Sequence, residues 1–264
     1  MNHARSRIAL SLASILAALA LGGVLGFSLQ PPATAPRPMT EPAAASPTLL
    51  PERFIPAETL NALALSLPKP PADIAQFDRE VAHFLRDHAA DWPRAAERAK
   101  ATAPKDEYSK HGFDYLVLID DKLAADVNAA ATPAARAAAC RARCPATCAI
   151  LERATRDLVT SKYKPFERPR PIGDHRDSYP SGHAAQAILQ CRLLWEIVRD
   201  KHPGAEDVLL NEAYARAIDR VMIAIHHPTD IAAGLAFGLA TARLILEADT
   251  PEFHKTLEAA RQEW

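Results

Sequence analysis

Apolar residues along this chain recur at three- and four-residue intervals, with no run that alternates at period two. Ile74, Phe77, Val81 and Phe84 keep helical spacing just after Pro70-Pro71, a favoured way to open a helix. Residues 113–127 (FDYLVLIDDKLAADV) are strongly apolar and match the helical template, a short strand being the alternative. Residues 134–162 form a long Ala- and Arg-rich stretch interrupted at Pro145. Residues 183–200 place Ala184, Ala187, Ile188, Cys191, Leu194, Trp195 and Val198 on one broad face. Residues 206–225 and 229–248 read as two more helices, and 249–264 as a charged peripheral one. The pattern predicts one all-α helical-bundle domain over 52–264.

The N-terminus differs. Residues 8–29 carry no charge in 22 positions, follow Arg5 and Arg7, and precede the first acidic residue, Glu41. A basic start followed by an apolar run is an export signal, and about 20 residues is also enough to span a bilayer. Cleaved signal and uncleaved anchor both stay open: Ala33-Thr34-Ala35 offers a cleavage site, but Pro36 follows it. Charges ahead of the run keep the N-terminus inside and send the body out. The expected location is periplasmic or secreted, with residues 8–29 as a tether to the inner membrane if uncut. No second uninterrupted run of this kind occurs, so a soluble body is expected. Seven prolines within 30–51 make an extended linker.

Composition narrows the function. The 264 residues hold 31 Lys+Arg against 32 Asp+Glu, a formal net charge of −1, without the basic excess of nucleic-acid binders. None of the nine glycines is spaced as GxGxxG or as a P-loop. Cys140, Cys144 and Cys148 lie at i, i+4, i+8, and Cys191 stands apart. Export favours a disulfide between Cys191 and one of the three, with buried thiols the alternative. No metal-ligand spacing such as CxxC or HxxH appears, and no metal or cofactor is expected.

Three segments between 161 and 230 carry chemistry. SKYKPFERPRP (161–171) sets Lys162, Lys164, Arg168 and Arg170 among prolines. Taken alone it is a solvated basic helix end. DSYPSGHA (177–184) turns sharply into a helix, so Ser181, the Gly182 N–H and His183 gather at a helix N-terminus, a natural anion site. Taken alone it is an ordinary Ser N-cap. DRVMIAIHHPTD (219–230) spaces Asp230 four residues beyond His226, so a carboxylate can orient an imidazole. Arg220 lies six residues before His226, turned away on a straight helix, and Pro228 is the expected break that lets them converge. His227 either lines the pocket or caps the next helix. Together the segments supply cations, an anion-binding helix start and two histidines, which metal-free phosphoryl transfer requires.

The order Lys…ArgPro, ProSerGlyHis, Arg-x5-His-x3-Asp resembles the signature of the type 2 phosphatidic acid phosphatase (PAP2) superfamily, which includes vanadium haloperoxidases and membrane lipid phosphatases. The exported all-α form with SYPSGH is similar to class A bacterial non-specific acid phosphatases. That resemblance implies His226 as a nucleophile forming a phosphohistidine, Asp230 as its orienting partner, and His183 as the acid and then the base. It implies Lys162, Arg170, Ser181, Gly182 and Arg220 as phosphate ligands. It implies phosphomonoester substrates, inorganic phosphate or vanadate as ligands, and an acidic optimum. The first segment departs from the family spacing: the family has six residues between Lys and ArgPro, whereas Lys162 to Arg168 leaves five and Lys162 to Arg170 leaves seven. Lys162 and Arg170 are preferred over Lys164 and Arg168. Asp219 stands where relatives often carry Ser, and an acid there can pair with Arg220 or moderate the pocket's charge. A lipid or isoprenoid phosphate phosphatase at the membrane surface and a non-catalytic envelope binding protein are the rival readings. Assembly into a homo-oligomer stays open.

Overall fold

Prolines and small polar caps divide this chain into helices. The computed structural model describes residues 50–70, 75–87, 97, 106–161, 164–172, 174–248 and 250–264. The signal or anchor run 8–29, most of the linker, Ile74 and Lys162 lie outside the described residues. Ten α-helices are described: α1 (Ala57–Ser66), α2 (Ala75–Asp87), α3 (Glu107–Lys110), α4 (Asp121–Ala129), α5 (Pro133–Arg143), α6 (Pro145–Thr160), α7 (Gly182–Val198), α8 (Ala205–Met222), α9 (Pro228–Leu246) and α10 (Pro251–Gln262). Helices α5, α6, α9 and α10 start on proline, whose fixed φ and missing N–H suit a first helical position. No strand occurs among the described residues, only an isolated parallel bridge between Arg168 and Asp177.

Several elements differ from the pattern in the sequence. Residues 113–127 do not form one helix. Phe113–Leu118 is a 3-10 turn, after which the Asp120 carboxylate accepts from the Lys122 and Leu123 N–H groups and starts α4 afresh. The C-terminal helix is not peripheral: Phe253, Leu257 and Ala260 of α10 are buried, and Phe253 meets Phe54 edge-to-face at 5.1 Å. The Glu263 carboxylate caps α6 by accepting from the Ala146 N–H at 2.6 Å and the Thr147 N–H at 2.9 Å. No disulfide forms: Cys140, Cys144, Cys148 and Cys191 are free, buried thiols. Burial pushes the Cys140 and Cys191 thiols up to about 12, which keeps them protonated.

Helix α7 is the centre of the core, buried almost all round through Ala184, Ala185, Ile188, Leu189, Leu193 and Leu194. It packs against α6, α8 and α9. Two glycines set how close α9 comes. A Cβ at Gly234 would sit 2.4 Å from the Ser181 carbonyl oxygen, and one at Gly238 would sit 2.3 Å from that of Ala185. Side-chain-free contact there brings the N-terminus of α9 against the N-terminus of α7. Pro228–Leu246 is also long and apolar enough, by length and composition, to cross a membrane, with mean hydropathy 1.4. It is thus a second segment of that kind, but 56% of that window is buried inside the protein.

Candidate active site

The site forms where α7 and α9 start together and α8 ends. Ser181 is the N-cap of α7, its hydroxyl accepting from the Ala184 N–H at 3.4 Å. Its own N–H donates to the Asp230 carbonyl at 2.9 Å, which ties the second sequence segment to the third. Gly182 opens the helix and His183 follows in its first turn.

Arg220 and His226 do converge, but Pro228 is not the cause. Helix α8 ends at Met222, and Ala224 takes a left-handed conformation at φ 57°. The chain then folds back, so the N–H groups of Ile225 and His226 both donate to the Arg220 carbonyl, at 3.1 and 3.2 Å. Pro228 instead begins α9, where His227 holds the N-cap position. The His227 Nε2–H donates to the Pro169 carbonyl at 3.0 Å, so its ring is used to fasten the basic loop.

Asp230 gathers donors from all three segments. Its Oδ1 accepts from Arg168 at 2.6 Å, and its Oδ2 accepts from the Ser178 hydroxyl and, at 2.8 Å, from the His227 N–H. The His226 Nδ1 lies 3.5 Å from the same Oδ2 and 3.4 Å from the Ser178 Oγ. Burial works against ionisation of Asp230, but the bonds from His226 and Ser178 and the Arg168 charge outweigh it and hold its pKa at about 2. An ionised carboxylate only accepts, and Ser178 already spends its proton on it. The His226 proton therefore resides on Nδ1, leaving the Nε2 lone pair free. Burial lowers the His226 pKa, with Asp230 opposing, so the ring is neutral near pH 7.

The basic loop is aligned by backbone bonds. The Arg168 N–H donates to the Arg176 carbonyl at 3.0 Å, the Ser178 N–H to that of Arg168 at 3.1 Å, and the Arg170 N–H to that of His175 at 2.9 Å. This register sends the two arginines to different work. Arg168 is buried and bridges Asp230 to Asp78 of α2, at 2.6 Å each, while also donating to Thr229 Oγ1 at 2.6 Å. Arg170 is half-buried and pairs with Asp177 at 3.1 Å. The Lys164 ammonium donates to the Pro180 carbonyl. Burial lowers its pKa to about 8, while Asp177 and Asp230 favour its charge. Lys164 and Arg170 are close enough to disfavour charge on both His183 and His226.

His183 faces His226 edge-to-face with ring centroids 6.2 Å apart. Burial first, and then the charges of Arg220, His226, Arg170 and Lys164, push the His183 pKa down to about 3. Arg220 is buried; desolvation lowers its pKa, and the Asp219 charge opposes that shift. A recess beside His183 and Arg220 is further lined by Ser109, Gln186, Gln190 and Arg216.

The structure thus brings His183, His226, Asp230, Arg170, Arg220, Ser181 and Gly182 to one place. Two participants were missed in the sequence and one was left open. Ser178 lies inside the quoted DSYPSGHA segment, yet only the fold puts it between Asp230 and His226. Lys164 was the open alternative to Lys162, which lies outside the described residues, and Asp78, about 150 residues from Asp230 in sequence, left no local signal. A family model described as PAP2 superfamily matches residues 144–251, a span that holds every member of this site except Asp78 and Ser109. No curated protein matches the chain.

Proposed function

Residues 144–251 are a PAP2 superfamily domain, and from that premise we propose that the protein is an exported phosphomonoesterase working through a phosphohistidine at His226. The observation that carries this reading is the Nδ1 contact of His226 with ionised Asp230 and Ser178, which frees Nε2 near Lys164 and Arg170. Arg170, Arg220 and Lys164, with the Gly182 N–H at the start of α7, hold the phosphoryl oxygens. Ser181 contributes through its cap, which fixes that helix start.

In the first step the Nε2 lone pair forms the N–P bond. The P–O bond to the alcohol breaks, its electron pair leaves with the oxygen, and His183 gives that oxygen its proton. In the second step a water loses a proton to the now neutral His183 and attacks phosphorus. The P–N bond breaks, its pair returns to Nε2, and inorganic phosphate departs. Asp230 steadies the imidazole as positive charge develops on it.

His183 must be protonated for the first step, yet its pKa in the unliganded site is about 3. After burial, the Arg220, Arg170 and Lys164 charges contribute to this, and a bound phosphate dianion opposes them directly. Substrate binding thus supplies the charge that lets His183 carry its proton, and turnover extends toward neutral pH. Export follows from the uncharged run 8–29 behind Arg5 and Arg7.

The test is hydrolysis of p-nitrophenyl phosphate by the full chain beside His226→Ala. Activity that survives EDTA, is blocked by vanadate and is lost in the variant is the expected result. Equal activity in wild type and variant overturns the proposal.

A further inference from the structure

The recess beside His183 continues away from the phosphate ligands, and its walls say what it accepts. Helices α7 and α8 are joined by a short turn and run antiparallel, so positions pair along the groove between them. His183 and Arg220 stand at one end, Gln190 and Arg216 at the other. Gln190 follows His183 by seven residues, about 10 Å along a helix. His183 is the group that protonates the departing oxygen, so the alcohol part of the substrate enters this groove.

The far end is polar, and its Arg216 cation is already taken up by two carboxylates. The Arg216 guanidinium is held by Asp114 at 2.9 and 3.1 Å and by Glu212 at 2.9 Å, and lies 4.0 Å over the Tyr115 ring. A second phosphate would meet those two carboxylates. The Gln190 Nε2 donates to the Lys110 carbonyl and to Thr155 Oγ1, both at 2.9 Å, which fixes that side chain in place. Ala187 is the one apolar side chain among the described residues of the lining. Between the two ends, the half-buried Gln186 amide and Ser109 hydroxyl present donors and acceptors to whatever enters.

Resting on the phosphatase reading above, we infer that this groove is a leaving-group subsite for short, neutral, hydroxyl-bearing alcohols, with Gln186 and Ser109 as its specificity residues. Short polyol monophosphates fit this chemistry. A long acyl or isoprenoid chain does not, because the described lining is polar. Sites that hydrogen-bond a substrate hydroxyl discriminate strongly against analogues that lack it.

The test compares kcat/KM of the full chain for glycerol phosphate, propyl phosphate and dodecyl phosphate, with p-nitrophenyl phosphate as reference. Wild type is expected to favour glycerol phosphate over propyl phosphate by about tenfold or more. Gln186→Leu and, separately, Ser109→Ala are expected to shrink that ratio at least several-fold, losing more on glycerol phosphate than on propyl phosphate. Equal rates on the two short esters, equal losses in both variants, or preference for dodecyl phosphate overturn the subsite while leaving the phosphatase reading intact. A wild type inactive on all four esters overturns both.

Discussion

Replacing Arg168 by methionine tests the core of the site, because one guanidinium serves two buried carboxylates. The Arg168 side chain is 7% exposed, that of Asp78 3% and that of Asp230 0%, so water cannot stand in for the lost charge. Methionine keeps much of the volume but leaves Asp78, among the described residues, with Thr229 as its remaining donor, at 2.9 Å. Asp230 keeps Ser178, the His227 N–H and His226. Removing one partner from a buried ion pair costs about 3–5 kcal/mol, a large part of the roughly 5–15 kcal/mol that holds a domain folded. Urea denaturation at pH 7 reads that loss. The double variant Arg168→Met, Asp78→Asn removes one stranded charge and is expected to recover part of it. Activity should fall separately, because Arg168 is among the groups that keep Asp230 ionised. With the guanidinium gone the Asp230 pKa rises from about 2, and the acid limb of kcat moves to higher pH. A single variant within about 1 kcal/mol of wild type, with its pH profile unchanged, would refute the reasoning; that figure is the contribution of an exposed pair.

Two further outcomes follow from the same geometry. The Lys164 pKa of about 8 places loss of a phosphate-binding cation just above neutrality. Accordingly kcat/KM for p-nitrophenyl phosphate should fall as pH rises through about 8, and Lys164→Met should remove that limb while lowering kcat/KM about tenfold at pH 6, the worth of one charged hydrogen bond; a limb unchanged in the variant would contradict the assignment. Gly238→Ala should destabilise by about 1–3 kcal/mol in urea, since the new Cβ meets backbone 2.3 Å away and α9 must shift off α7; a neutral change would show that the contact yields freely.

The all-α class, the break near Pro145 and the second and third motifs were legible because helical periodicity, prolines and short fixed spacings are local properties. The first motif was not. In a proline-rich loop, side-chain direction follows from hydrogen bonds to another segment, here 175–178, so counting residues could not decide which basic groups face inward. Arg168 is held by Asp78 and Asp230, a commitment invisible in sequence, while Arg170 pairs with the more exposed Asp177. The convergence of Arg220 with His226 was anticipated but credited to Pro228, whereas Ala224 makes the turn. An alanine at positive φ carries no sequence signal, since the surrounding fold imposes it. The expected Cys191 disulfide failed for a similar reason: redox compartment and spacing do not fix where a thiol points.

The most direct measurement is to trap the phosphoenzyme and locate its phosphate. p-Nitrophenolate leaves without a proton, so His183→Ala should still be phosphorylated by p-nitrophenyl phosphate but should lose the base that activates water. Rapid quenching at alkaline pH, followed by peptide mass mapping of that variant, is expected to find an acid-labile phosphate on His226. The adduct should be absent from His183→Ala, His226→Ala. Phosphate on any other residue, or steady turnover of wild type with no phosphorylated His226 at any time, would contradict the account.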